Sequence, residues 1–268
     1  MKCENVKVDK HRFVQVVASS VQAVAAGFEH SMMLKQDGSV WATGFNTFGQ
    51  FGDGSTADSL RFKKVFSSGA IAVAAGWYQS MILKKDGSVW AAGDNNYGQP
   101  GNTDSFTQVF PSGATAVAVG ESHSMLLKND GSVWALGKNE YGQLGDTSIT
   151  LATNFVQVLS SGAQAVATGA HHSMVLKHDG SVLATGRNWK GQLGDGSETD
   201  RNTFGQVVFR DAKAVAAGEQ YSMMLKKDGT VWATGDNFQG QLGDGSTESR
   251  KNFVFVAQAG WSRWRLVY

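Results

Sequence analysis

AVAAGFEHSMMLKQDGSVWATGFNTFGQFGDGS, residues 23 to 55, is written five times along this chain. The copies align on Gly27, Gly76, Gly120, Gly169 and Gly218, at spacings of 49, 44, 49 and 49 residues. A fixed period in this range marks a solenoid, a propeller or an array. The copies also act as controls for one another. A slot that never changes serves the fold, and a slot that does change is where function can sit.

Each copy holds four apolar runs in the same order. In the first copy these are AVAAG (23 to 27), HSMMLK (30 to 35), SVWATG (39 to 44) and a run containing Phe62 and Val65. Phe106, Phe155 and Phe204 recur in the last run of later copies. β-branched and aromatic residues favour strand, so the four runs, A to D, predict a small antiparallel meander. Asp-Gly stands between B and C every time: Asp37-Gly38, Asp86-Gly87, Asp130-Gly131, Asp179-Gly180 and Asp228-Gly229. That dipeptide predicts a type I′ hairpin turn, which needs positive φ at both central residues.

Run B is apolar on both faces. Met32, Met81, Met125, Met174 and Met223 share one slot, and Leu34, Leu83, Leu127, Leu176 and Leu225 lie on the same face. Met33, Ile82, Leu126, Val175 and Met224 take the other face. A strand buried on both sides lies between two sheets. Blades packed face to face around an axis meet that need. Trp41, Trp90, Trp134 and Trp232 repeat on run C, with Leu183 in the fourth copy, and are read as core.

Composition narrows the function classes. Lys and Arg total 24 against 23 Asp and Glu, a net charge of +1, which gives no electrostatic case for nucleic acid or an anionic membrane. The 33 Gly against 2 Pro suit many tight turns between short strands. Cys3 is the single cysteine, so no intramolecular disulfide or thiolate metal site is expected. The first residues, MKCENVKVDKHR, lack the apolar run of a signal peptide, and no stretch approaches a transmembrane helix. These features point to an intracellular protein, cytoplasmic or nuclear. Oligomeric state is not legible.

The consensus G-x-x-H-S-x-x-L-K-x-D-G-x-V-x-x-x-G-x-N-x-x-G-Q-x-G resembles the repeat of the regulator of chromosome condensation family. The match runs from residue 13 to 256. The resemblance implies an all-β β-propeller of four-stranded antiparallel blades, typically seven in that family. Here the full repeats fall near 20–65, 69–109, 113–158, 162–207 and 211–256, within a single domain spanning 1–268. Partial repeats occupy 1–17 and 257–268. Val6-Lys-Val8 and Phe13-Val-Gln-Val16 resemble C and D, while Ala257-Gln-Ala-Gly260 and Arg263 to Tyr268 resemble A and B. Together they would make one closing blade and a six-bladed ring. One slot objects: Arg265 falls where the other copies bury Met. The alternative is an incomplete fragment of a seven-bladed propeller.

In an up-and-down blade the A–B turn and the C–D loop emerge on one face. The A–B turn changes in every copy: Phe28-Glu29, Trp77-Tyr78, Glu121-Ser122, Ala170-His171, Glu219-Gln220. In the C–D loop, Phe45, Asp94, Lys138, Arg187 and Asp236 precede the fixed Asn, and Phe48, Tyr97, Tyr141, Lys190 and Gln239 precede the fixed Gly-Gln. The B–C turn barely changes. Variation gathered on one face is how a repeat protein presents a tailored surface. Phe28, Glu29, Phe48, Trp77, Tyr78, Tyr97, Glu121, Tyr141, His171, Trp189 and Gln220 are the candidate partner-binding residues, with the aromatics as its centre.

No catalytic residue, cofactor or metal site is expected. His30, His123 and His172 share a slot beside His171, but Gln79 and Tyr221 fill the same slot, so a general hydrogen-bonding role covers all copies. Asp53, Asp195 and Asp244 in GDGS lack the alternating ligands of a calcium loop and suit Asx turns. Gln50, Gln99, Gln143, Gln192 and Gln241 are expected to hold the C–D loop backbone. No phosphate loop or nucleophile elbow is present. The leading reading is a non-enzymatic module that binds a protein partner. The resemblance also implies a second reading, nucleotide exchange on a small GTPase, although no wedge-like insertion interrupts the repeat. A third is ultraviolet sensing like that of a plant receptor with clustered Trp; only Trp77 and Trp261 fall in comparable turns.

Overall fold

The computed structural model describes residues 15–17, 19–94, 96, 98 and 103–258. They form five four-stranded antiparallel sheets, each in sequential strand order. The first holds β1 (Val21–Ala26), β2 (His30–Lys35), β3 (Val40–Gly44) and β4 (Ser59–Phe66). The second holds β5 (Ala70–Ala75), β6 (Gln79–Lys84), β7 (Val89–Gly93) and β8 (Thr103–Phe110). The third holds β9 (Ala114–Val119), β10 (His123–Lys128), β11 (Val133–Gly137) and β12 (Ala152–Leu159). The fourth holds β13 (Ala163–Thr168), β14 (His172–Lys177), β15 (Val182–Gly186) and β16 (Arg201–Val208). The fifth holds β17 (Ala212–Ala217), β18 (Tyr221–Lys226), β19 (Thr230–Gly235) and β20 (Arg250–Gln258). The fold is an all-β propeller, and each sheet is one blade.

Successive blades meet through their first strands, β1 to β5, β5 to β9, β9 to β13 and β13 to β17. The second strand of each blade also packs on the first strand of the next. Between the first two blades, Met32, Leu34 and Val40 close on Ala70, Val73 and Ile82. The same layer repeats between later blades. Each of these large side chains contributes roughly 1.5–3 kcal/mol of burial. The expectation that run B is buried on both faces holds. On the outer flank of the first blade, Val24 is 55 % exposed, against 3 % for Val73 and 2 % for Val215, so the described residues leave that flank uncovered. Most of the proposed closing blade lies outside the described residues. Ala257 and Gln258, read from sequence as its beginning, instead extend β20 and pair with Val231 and Thr230.

Two sequence expectations change. The B–C turn is not type I′. Gly38 has φ of 76°, but Asp37 is not in the left-handed region. Lys35 O accepts from Gly38 N, and Lys35 N donates to Ser39 O, which makes a three-residue loop ending in a left-handed glycine. Asp37 Oδ1 accepts from both Ser39 N and Ser39 Oγ at 2.9 and 2.6 Å, and that bond favours the longer loop. The tryptophans are half-buried at this end of the blade, not deep core. Trp41 Nε1 donates to Ser39 Oγ, and Lys35 Nζ lies 4.2 Å from the ring centroid. The three other Trp copies repeat both contacts.

The glycine of each A–B turn is fixed by space, since its φ is not positive. A Cβ on Gly120 would sit 2.5 Å from Gly169 O, and one on Gly169 would sit 2.5 Å from Gly218 O. On the outer side, the recurring Phe of the D strand packs on a loop glycine of the preceding blade: Phe106 on Gly52, Phe204 on Gly145, Phe253 on Gly194. Gly120→Ala is therefore expected to force two blades apart and destabilise the protein by about 3 kcal/mol or more. Thermal unfolding followed by circular dichroism checks this, and an unchanged melting temperature would overturn the packing account.

Candidate functional site

One bond joins the two variable segments in every blade. The amide after the C strand donates to the carbonyl of the second A–B turn residue: Phe45 to Glu29, Asp94 to Tyr78, Lys138 to Ser122, Arg187 to His171, Asp236 to Gln220. Both segments thus stand on the same face and form a rim around the axis. The loop itself is held from inside. Asn46 Oδ1 accepts from Phe51 N at 2.8 Å, and Gln50 Oε1 accepts from Phe48 N at 3.1 Å. Gln143, Gln192 and Gln241 repeat the second bond. Gln99 and Tyr97 lie outside the described residues. Asp53, Asp195 and Asp244 make Asx turns to Ser55, Ser197 and Ser246 and pair with Lys63, Arg201 and Arg250.

The structure divides the candidate residues into two clusters. In the first two blades Phe28 stacks on Trp77, with ring centroids 4.8 Å apart and planes 24° apart. Tyr78 meets Phe28, Phe48 and Trp77, at 4.6 Å from Phe48. Phe45, absent from the candidate set, completes this cluster against Phe48 and Tyr78. Phe28 is 56 % exposed, more than is usual for a large apolar ring in a packed cluster. In the later blades the rings are interleaved with cations. Arg187 lies over both Tyr141 and Trp189, at 4.5 and 4.6 Å, and Lys190 lies over Trp189 and Phe238. His171 lies tilted against Tyr141, with ring centroids 5.1 Å apart, and has Nε2 3.5 Å from Glu121 Oε2. Burial raises the Glu121 carboxyl above its ordinary range and lowers the His171 imidazole, which argues against a fully charged pair. Glu29 is exposed and joins neither cluster, and Gln220 Nε2 donates to Glu219.

Phe238 holds the slot after the fixed Asn, as Trp189 does, and that shared slot is the signal that could have found it. Arg187 and Lys190 carry no such signal, because each depends on a ring from a neighbouring blade, Tyr141 for Arg187 and Phe238 for Lys190, besides Trp189 of their own.

Beneath the rim, the shared His slot ties blade to blade. His30 Nε2 is 2.9 Å from Ser80 Oγ, His123 Nε2 is 2.9 Å from Ser173 Oγ, and His172 Nε2 is 2.8 Å from Ser222 Oγ. Ser173 Oγ gives its hydrogen to Gln143 O, and Ser222 Oγ to Gln192 O. These hydroxyls must therefore accept from the imidazole, which sets the Nε2–H tautomer. Gln79 fills the slot by accepting from Ser124 Oγ at 3.0 Å, so the hydrogen-bonding role holds for His30, Gln79, His123 and His172. Burial pushes His30 down to about 4, and His123 and His172 to about 3.

The family model of the RCC1-like domain matches residues 6–265. The chain belongs to the RCC1-like domain family. Solved structures agree on the fold. Human WBSCR16 superimposes with a TM-score of 0.79 at 19 % identity, covering 89 % of this chain and 67 % of that one. Yeast RCC1 (Prp20), in a complex with Kap60, gives 0.76 at 21 % identity, covering 88 % and 63 %. Prp20p from Saccharomyces cerevisiae, described with its binding to Gsp1p and histones, gives 0.76 at 21 % identity, covering 88 % and 65 %. The chain thus spans about two thirds of each of these solved chains. No curated protein matches it. Among the described residues no helix is long and apolar enough to cross a membrane.

The histidine seam gives the RCC1-like propeller a defined response to acid. The unfolded imidazole takes its proton near pH 6.5, while the folded one resists until about pH 3 to 4. The stability from neutral burial is complete above pH 6.5 and is lost as pH falls towards the folded value. At pH 5 the loss is about 2 kcal/mol per histidine for His123 and His172. Urea midpoints at pH 7.5 and 5 measure it. The double variant His123→Gln/His172→Gln should flatten the dependence, and an equal slope in both proteins would refute the assignment.

Proposed function

We propose that this propeller is a non-catalytic protein-binding module whose partner docks on the rim of A–B turns and C–D loops. The observation that carries the reading is the contiguous ring cluster of Phe28, Phe45, Phe48, Trp77 and Tyr78. Stacked rings at a surface are rigid, amphipathic and concentrated, which is what an interface centre requires. The fixed Asn and Gln bonds support it further, because they hold the loop backbone and leave its outward side chains free to differ. Phe48, Trp77, Tyr78 and Glu121 would form the centre of contact, with Tyr141, His171, Trp189 and Gln220 along the same rim and Glu29 at its edge. The polar mixture of the later blades suits the outer part of such an interface.

Exchange on a small GTPase is the second reading, and the described binding of Prp20p to Gsp1p favours it. A nucleotide-release assay over a panel of small GTPases tests it; acceleration of any one would move this reading to first place. The rim is tested by co-purification from the native source with the wild type, Trp77→Ala and Tyr78→Ala. Each variant is expected to lose at least 2 kcal/mol of affinity, about thirtyfold, as central aromatic anchors do. Undiminished recovery in both variants would defeat the rim reading.

A further inference from the structure

The four seams between the five described blades provide an internal comparison. The residue before the fixed Asn of one blade stands over the residue before Gly-Gln of the preceding blade. Between the third and fourth blades these are Arg187 and Tyr141, a cation over a ring at 4.5 Å. Between the fourth and fifth they are Asp236 and Lys190, an ion pair at 3.8 Å. In both places one cation satisfies the seam. Between the first and second blades the same slots hold Asp94 and Phe48. A carboxylate and a ring face each attract a cation, and here neither residue supplies one.

That seam is also hollow. A cavity of 190 Å³ opens on the rim, lined by Phe48, Trp77, Tyr78, Asp94, Asn96 and Glu121 among others, with no Lys, Arg or His among the described residues of its wall. It has room for several waters at about 30 Å³ each, and so for a guanidinium or ammonium head. Three ring walls come from two blades, with Phe48 and Tyr78 4.6 Å apart and Trp77 edge-on to Tyr78. Asp94 Oδ1 accepts from Asn96 N at 3.1 Å, which steadies the carboxylate. The nearby basic groups are committed elsewhere: His171 lies 3.5 Å from Glu121 Oε2, Lys138 pairs with Glu140 at 2.7 Å and Arg187 lies over its two rings.

We infer that the cavity between Phe48, Trp77, Tyr78, Asp94 and Glu121 receives an arginine or lysine side chain from a protein partner. The partner's cation completes the seam as Arg187 completes the seam two blades on. Both ring attraction and charge complementarity favour it, and Arg gains more because its plane stacks on rings while its fork meets a carboxylate. This inference rests on the rim reading and names the chemistry that the rim selects.

The test uses the full chain with the peptides Gly-Arg-Gly, Gly-Lys-Gly and Gly-citrulline-Gly, followed by chemical-shift changes at the Trp77 indole. The Arg and Lys peptides should shift it saturably, and citrulline, which keeps the shape without the charge, should bind at least fivefold more weakly. Asp94→Asn should weaken the Arg peptide about fivefold. Asp94→Arg should abolish binding by supplying the cation from within, as Arg187 does. Thermal melts of both variants serve as the folding control, since Asp94 lies outside the core layers. Equal binding of citrulline and Arg peptides, or no saturable shift in the wild type, would overturn the inference. Loss of the native partner with Trp77→Ala but full retention with Asp94→Asn would overturn it while leaving the rim reading intact. Loss with neither variant would defeat both.

Discussion

The propeller depends on how closely two backbones approach at the axis. Gly27, Gly76, Gly120 and Gly169 each face the carbonyl of the next blade's glycine at a distance that admits no Cβ. The imidazoles of His30, His123 and His172 lie in the same space, against the glycine of their own turn. An aromatic ring can sit there only because no methyl group does. From that position it reaches the serine of the next blade. Glycine, histidine and serine are thus one device, and each residue type is explained by the other two. The price is a buried Nδ1 with no partner on each histidine.

The five copies fill that slot differently without changing the fold. Gln79 accepts where histidine donates, and Ser124 turns its hydrogen accordingly. A hydroxyl can serve as donor or acceptor, so the serine is the adaptable member and can remain constant while its partner varies. The outer edge follows a similar rule. Loop glycines at Gly52, Gly145 and Gly194 receive a Phe from the next blade, so each blade is clamped at the axis and again at the periphery. Between the two clamps lies the apolar layer of Met, Leu and Val.

Much of this was legible in the sequence because a repeat prints its constraints several times. The second strand begins at His30 and ends at Lys35 as its apolar run predicts, and the loop glutamines hold the backbone as their constancy suggests. What escaped reading were effects that local pattern does not encode. The Asp-Gly turn took a longer form because Ser39 gives Asp37 two hydrogen bonds, an interaction outside the dipeptide itself. The tryptophans repeat like core residues, yet their indole N–H must reach a polar partner, and this keeps them at the end of the blade. Arg187 and Tyr141 are joined across a seam, and a sequence read one copy at a time sees only two variable loop positions.

The seam is therefore the natural unit for reading the rim, more than the blade. A blade contributes one residue that overhangs its predecessor and one that its successor overhangs. Each variable position is thus judged by a neighbour in another copy. Where the pair is Arg187 and Tyr141 or Asp236 and Lys190, the chain satisfies itself and the seam is closed to charge. Where the pair is Asp94 and Phe48, two groups of the same appetite face one cavity. A fold held by its fixed letters can keep such a mismatch because the Asn and Gln bonds beneath carry the loop whatever stands above them. Uncompensated polarity at a surface destabilises little, since water screens it, but the same carboxylate gains strength once a partner excludes that water. A seam whose paired slots hold no cation is thus tolerated by the free protein and becomes selective only when a partner covers it.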